Sequence, residues 1–236
     1  MSITYRSDMT VDLIKNAAED ADVTFAARVS TQGGESRFAE ASEKDAGLIN
    51  YLMRDRHGSP FEHTSMTYYI EAPIFVAREF FRHRVGWSYN EESGRYKELQ
   101  PVFYIPSADR NLIQVGKPGA YVFEPGTSTQ HTLMGDTMSS AYKGAYEHYK
   151  LLLNDGIARE VARMVLPVGI YTSFYATCNA RSLMHFLGLR TTDPESKFPS
   201  FPQREIEMVA EEMEKVFAGL MPVTYGAFQK NGRVAP

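Results

Sequence analysis

A single cysteine, Cys178, stands in a chain of 236 residues, which excludes an internal disulfide framework. Long apolar runs are missing too. Crossing a bilayer takes about 20 consecutive apolar residues, and the longest run, residues 72–77, falls far short. The opening Met1-Ser2-Ile3-Thr4-Tyr5-Arg6 is not followed by the apolar central region of a signal peptide, and no Asn-x-Ser/Thr acceptor occurs. These absences predict a reducing, cytoplasmic setting and no membrane partner. Positive charge is not in excess: 25 basic residues against 29 acidic ones give a formal net charge of −4, which argues against general binding of polyanions or nucleic acid. Neither a Gly-x-Gly-x-x-Gly turn nor a phosphate-loop lysine is present, so a Rossmann dinucleotide site and a P-loop NTPase are set aside.

The composition is that of an ordinary globular chain, 43% hydrophobic and 23% charged, long enough to bury roughly 70% of its unfolded surface. No repeat or low-complexity tract interrupts it, and the Gly/Pro-rich residues 116–126 are too few for a linker. One domain over residues 1–236 is expected. Phe38, Ala41, Leu48, Leu52 and Met53 predict a helix over 35–56, with Gly58 as its stop. A Thr- and Tyr-rich strand is expected at 65–71. Pro73 suits the first turn of a helix running from Ile74 to about Arg84, with Gly86 beyond its end. Further helices are expected at 129–153, 157–165, 179–189 and, with an acidic face, 203–217, while 171–175 fits strand or helix. Long helices with few, non-repeating strands predict an α/β (α+β) class: one mixed domain in which helices cover one central sheet.

Charge is unevenly spread. Arg159, Arg163, Arg181 and Arg190 share residues 159–190 with one acid, Glu160, whereas residues 205–214 hold five glutamates. A local arginine cluster on an acidic chain suits a small anion, because the guanidinium fork matches phosphate oxygens two at a time. The stretch 78–96 is the densest, with Arg78, Arg82, His83, Arg84 and Arg95 among Glu79, Glu91, Glu92 and Ser93. On a helix Arg78 and Arg82 share a face. Two readings stay open there: forks converging on a nucleotide phosphate, or a solvated helix end with pairs such as Arg78 with Glu79 or Glu92.

On the otherwise apolar helix 179–189 and just past it, Arg181, His185 and Arg190 need either an anionic ligand or a partner within the chain, for which Glu62, Glu91 and Glu160 are candidates. His57 and His63 flank Ser59-Pro60-Phe61-Glu62. A metal reading does not fit that spacing, and Ser59-Pro60 reads equally as a capped helix start. No metal is expected. Cys178 reads as a small core residue, since no base neighbours it in sequence other than Arg181, and Ser93 lacks the Gly-x-Ser-x-Gly setting of a hydrolase nucleophile. A rival from another class is an RNA-binding surface in which Trp87, Tyr89 and Tyr96 stack bases between Arg82, Arg84, Arg95 and Lys97, and the net charge disfavours it.

Taken in order, His57-x-Ser59-Pro60-Phe61-Glu62-His63, Arg82-His83-Arg84, Asn90-Glu91-x-Ser93-Gly94-Arg95-Tyr96, Arg163-x-x-Leu166-Pro167 and Asn179-Ala180-Arg181-Ser182-Leu183 with Leu189-Arg190 closely resemble the flavin-dependent thymidylate synthases. Five blocks match across roughly residues 25–190. The chain departs by one extra residue in 85–92, by Glu79 in place of Gln and by His185 in place of Asn. The resemblance implies the thymidylate synthase-complementing fold and a homotetramer with sites between subunits. The implied reaction converts dUMP to dTMP with FAD as cofactor, methylenetetrahydrofolate as one-carbon donor and NADPH as reductant. It implies FAD contacts from Ser59, Arg82, His83, Arg84, Glu91, Asn179, Arg181 and His185. Contacts to dUMP would come from Glu79, Phe80, Phe81, Arg82, Glu91, Glu92, Ser93, Gly94, Arg95, Arg163 and Arg190. Arg190 is the implied catalytic residue, favouring the N3-deprotonated uracil, and no cysteine nucleophile is required. Methylation or reduction of another uracil-containing substrate is the nearest alternative.

Overall fold

Strands and helices alternate irregularly along the chain, in a computed structural model that describes residues 2–38, 44–118 and 120–236. The strands are β1 (Thr4–Arg6), β2 (Thr10–Ala17), β3 (Ser65–Pro73), β4 (Trp87–Glu91), β5 (Val102–Tyr104), β6 (Ile113–Lys117), β7 (Ala120–Glu124) and β8 (Tyr171–Cys178). The helices are α1 (Asp20–Gln32), α2 (Asp45–Arg54), α3 (Ile74–Phe80), α4 (Ser128–Asn154), α5 (Arg159–Ala162), α6 (Ala180–Arg190), α7 (Arg204–Leu220) and α8 (Pro222–Lys230). Short 3-10 turns occupy Gly33–Phe38, Ser59–Glu62 and Arg163–Val165. This is the mixed α/β class expected. No helix among the described residues is long and apolar enough to cross a membrane.

The chain folds into two compact units, the first made of Met1–Met9, Glu71–Glu79 and Glu91–Phe174, the second of Thr10–Ile70, Phe80–Asn90 and Tyr175–Pro236. In the first, α4 is capped by Thr127, whose hydroxyl accepts from the Gln130 backbone N–H while the Gln130 side chain accepts from the Thr127 N–H. This reciprocal arrangement satisfies donors that a helix start otherwise leaves open. Tyr142, Tyr146 and Tyr149 fall on one face of α4 and pack with Leu99, Phe103, Ala162 and Ile170. Buried phenols need polar partners: Tyr146 donates to the Leu99 carbonyl at 3.0 Å, and the Leu99 N–H donates to the Tyr149 oxygen at 3.2 Å. Parallel β1 and β5 pair Tyr5 with Phe103. The Gly/Pro-rich residues 116–126 overlap two antiparallel strands, β6 and β7, which pair Ile113 with Glu124 and Val115 with Val122.

The four-stranded sheet has the order β2-β3-β8-β4. Helix α7 buries Ile206, Val209, Ala210, Met213 and Phe217 at the three-and-four spacing of an amphipathic helix. Asn179 caps α6, its side-chain oxygen accepting from the Ser182 N–H at 2.9 Å.

Three expectations are corrected. The helix expected over 35–56 is a 3-10 turn, Gly33–Phe38, followed after the undescribed residues 39–43, which include Ala41, by α2, Asp45–Arg54. The helix expected to reach Arg84 stops at Phe80. The His83 N–H bonds back to the Phe80 carbonyl at 3.0 Å, so Arg82, His83 and Arg84 occupy a turn, and Arg82 shares no helix face with Arg78. Ser59 does not cap the turn it opens: Gly58 holds the cap position, with no side-chain cap bond.

Candidate active site

The turn after α3 and the start of α6, both in the second unit, line one cleft of about 430 Å³ with Glu62, His83, Arg84, Val85, Gly86, Trp87, Asn179, Arg181, Ser182 and His185. One hydrogen bond and one close packing contact within this unit hold the walls. Ser182 Oγ donates to the Val85 carbonyl at 2.8 Å, and Gly86 lies directly against that hydroxyl with φ +69°, a conformation suited to glycine. Behind the turn is an aromatic layer: Trp87 stacks on Tyr89 with ring centres 5.8 Å apart, and Phe80 meets Phe186 at 4.6 Å. The Tyr89 hydroxyl donates to the His83 carbonyl at 2.7 Å.

The cleft is cationic without titrating easily. Burial, with Arg190 and Arg82 nearby, pushes the His83 imidazole down to about 4, and burial with Arg181 and Arg56 lowers His185. Both rings are therefore neutral near pH 7, and the fixed positive charge comes from the arginines. The chain supplies a partner for Arg181, resolving a question left open by the sequence. Its Nη1 pairs with Glu62 Oε1 at 2.5 Å and its Nε donates to the Pro236 carbonyl at 2.6 Å. Arg56 Nη1 holds the same tail through the Val234 and Ala235 carbonyls at 3.0 and 2.6 Å. Arg190, at the end of α6, donates from Nε to His83 Nε2 at 3.1 Å.

Of the residues proposed for FAD, His83, Arg84, Asn179, Arg181 and His185 meet at this cleft. Ser59 and Arg82 are exposed in the same unit without lining it. Phe80 is fully buried and Phe81 leans on Tyr89 at 5.0 Å.

Glu79, Glu91, Glu92, Ser93, Gly94, Arg95 and Arg163 belong to the first unit. There Thr172 donates to Glu91 Oε1 at 2.7 Å, and the Ser173 N–H donates to Glu92 Oε1 at 3.0 Å. Lys97 pairs with Glu92 at 2.6 Å, and Arg95 with Glu160 at 3.0 Å. A β-carbon on Gly94 would come within 3.2 Å of Arg163 Cδ, so the turn 93–95 and Arg163 lie side by side.

Sequence reasoning named Glu62 among the candidate partners of Arg181, but missed Val85, Gly86, Trp87 and Ser182 as cleft lining and the tail at Pro236 as an Arg181 neighbour. Only Gly86, singled out as a stop, carried a local signal. His57 stacks on Tyr51 with ring centres 5.6 Å apart, and no group of three His, Cys, Asp or Glu side chains gathers as a metal site among the described residues. Cys178 is 3% exposed, and burial raises its thiol well above the ordinary range.

The family model described as thymidylate synthase complementing protein matches residues 12–223. The chain belongs to the flavin-dependent thymidylate synthase family. It is 65% identical to the flavin-dependent thymidylate synthase of Streptomyces coelicolor over 99% of this chain and 96% of that one. With the enzyme of the same name from Tropheryma whipplei it shares 56% identity, over 100% of this chain and 98% of the relative. Among solved structures it resembles the UMP/dUMP methylase PolB from Streptomyces cacaoi bound with 5-Br dUMP, with a TM-score of 0.94, 54% identity and coverage of 99% of this chain and 100% of that one. A second structure of that methylase, bound with 5-Br UMP, gives a TM-score of 0.92 and 53% identity. In this chain, His83 and Arg84 of the Arg-His-Arg block and Asn179 and Arg181 of the Asn-Ala-Arg block line the cleft.

Proposed function

We propose that this chain reductively methylates dUMP to dTMP, with FAD as resident cofactor, methylenetetrahydrofolate as one-carbon donor and NADPH as reductant. It works as a cytoplasmic homotetramer, residues 1–236 forming one catalytic domain, with each site drawing on more than one subunit. The observation that carries the reading is the cleft itself, where Arg84 and Arg181 stand with Asn179 and two neutral histidines on an acidic chain. Guanidinium and amide donors of this kind fit the pyrophosphate and heterocyclic acceptors of a flavin dinucleotide. A cleft of about 430 Å³ takes part of such a molecule and leaves the remainder to other surfaces.

When bound, the flavin supplies the hydride relay between nicotinamide and the transferred carbon. The protein's share is binding and charge placement. In this reading Arg190 stabilises negative charge on the uracil ring, and Glu91 to Arg95 with Arg163 hold the nucleotide. The buried Cys178, with its raised thiol, supports a route that needs no cysteine nucleophile.

The test is a titration of purified protein with FAD, followed by flavin absorbance and fluorescence with and without dUMP, and then dUMP-dependent NADPH oxidation. Saturable FAD binding, a flavin spectrum that shifts on adding dUMP, and dTMP formation are expected. Arg190→Ala should bind FAD and lose most turnover. Absence of FAD binding, or full turnover in Arg190→Ala, would overturn the assignment. Because PolB is described as a UMP/dUMP methylase, UMP is the second substrate to compare. The better substrate is the one with the higher kcat/KM.

A further inference from the structure

We propose that His83 is a positioning residue for Arg190: its unprotonated Nε2 accepts the Arg190 Nε–H and sets the plane in which that guanidinium is presented. The proposal rests on the reading that Arg190 meets the uracil of dUMP. The bond is 3.1 Å long and joins residues 107 positions apart in the chain. All five guanidinium donors lie in one plane, so engaging Nε fixes the direction of the others.

His83 is itself held from several sides. Its backbone N–H bonds to the Phe80 carbonyl at 3.0 Å, and its carbonyl accepts from the Tyr89 hydroxyl at 2.7 Å. Its ring stands edge-on to Phe186, with centres 4.9 Å apart and planes at 76°. Phe186 and Arg190 are four residues apart on α6 and share a face. One helix face therefore supplies both the wall that orients the imidazole and the cation that uses its lone pair.

Only one protonation state makes this contact. A neutral imidazole with its proton on Nδ1 accepts at Nε2, whereas an imidazolium donates at both nitrogens and would set a cation against a cation. The charged groups bearing on the ring are Arg190 from α6 and Arg82 from the turn, both cationic; Phe80, Tyr89 and Phe186 pack around it uncharged. Burial and those two cations push the imidazole down to about 4, so the accepting form persists at neutral pH. Glu62, Arg84, Arg181 and His185 share the cleft wall with His83.

The experiment uses FAD-saturated protein and reads dUMP affinity by calorimetry, FAD affinity separately by flavin absorbance, and folding by circular dichroism. His83→Phe keeps a ring against Phe186 and removes the acceptor, while His83→Gln keeps an acceptor. Loss of a hydrogen bond to a charged group should weaken dUMP binding about tenfold in His83→Phe, and His83→Gln should recover most of it. On an Arg190→Ala background, His83→Phe should cost nothing further. Additive losses in the double variant, or a His83→Phe effect confined to FAD affinity, would overturn the proposal. Wild-type dUMP affinity in Arg190→Ala would instead overturn the underlying reading of Arg190. A second measurement needs no His83 variant. In protein labelled with nitrogen-15 histidine, the His83 signal should report the Nδ1–H tautomer near neutral pH and shift in Arg190→Ala; an Nε2–H tautomer would sink the idea.

Discussion

Gly86 packs against the Ser182 hydroxyl so closely that a β-carbon at residue 86 would collide with Ser182 Oγ, and that hydroxyl is committed to the Val85 carbonyl at 2.8 Å. The contact sets the spacing between the turn after α3 and the first turn of α6, and hence the width of the cleft. Gly86→Ala combines the collision with a left-handed backbone (φ +69°) that costs a side-chain-bearing residue about 1–2 kcal/mol by itself. We expect a loss of roughly 2–8 °C in thermal midpoint together with weakened FAD binding. An unchanged melting curve and FAD isotherm would show that the contact does not set the cleft.

Glu62 neutralises Arg181 at 2.5 Å, with both side chains partly exposed. An anionic phosphate arriving at Arg181 has to compete with that carboxylate. Exposed pairs of this kind are worth up to about 1 kcal/mol, so Glu62→Gln should leave stability nearly unchanged and tighten FAD binding by up to about fivefold. Calorimetric titration decides it: weaker binding in Glu62→Gln would mean that the carboxylate helps rather than competes.

Cys178 is buried at the end of β8, next in sequence to the cleft residue Asn179, with its thiol raised by burial. A protonated, inaccessible thiol is a poor nucleophile. Cys178→Ala should keep most turnover while losing a little stability from the smaller side chain, and the native protein should resist iodoacetamide at neutral pH. Inactivation by alkylation of the folded protein would contradict this.

His83 and His185 both titrate below their ordinary value in the fold. The unfolded chain therefore takes up protons first on acidification. The stability associated with His83 is fully present above about pH 6.5 and declines as pH falls towards about 4, where the folded imidazole itself protonates. Thermal midpoints across pH 4–8 should fall on the acid side, and His83→Gln should flatten part of that slope, His185 retaining the rest. An identical slope in His83→Gln would remove His83 as a contributor.

Several elements were legible from local pattern. The long helix expected over 129–153 is α4, Ser128–Asn154, and the acid-faced one over 203–217 is α7, Arg204–Leu220, whose apolar residues recur at helical period. The helix expected to continue from Ile74 to Arg84 ends at Phe80 instead. Its charged second half has no intrinsic reason to stop there. The end is set by the turn bond from His83 to Phe80 and by the Tyr89 hydroxyl, which also reaches the Phe80 carbonyl, at 3.3 Å. Helices α1 and α8 went unnoticed, and α8 begins where Asp20 accepts from the Val223 and Thr224 N–H groups at 2.9 and 2.8 Å, a cap supplied from far away in the sequence.

The sequence by itself determined the residue types at the site, the arginine blocks and their order, a helix close to α6 and the absence of an activated cysteine, since each follows from chemistry or from spacing within a few turns. Tertiary structure alone decided which of Glu62, Glu91 and Glu160 pairs with Arg181, that His83 gives its lone pair to Arg190, and that residues 83–87 face residues 179–185 across one cleft. Local dihedral preference fixes neighbours along the chain. Partners about a hundred residues apart are chosen by burial and charge balance, which exist only once the chain has folded.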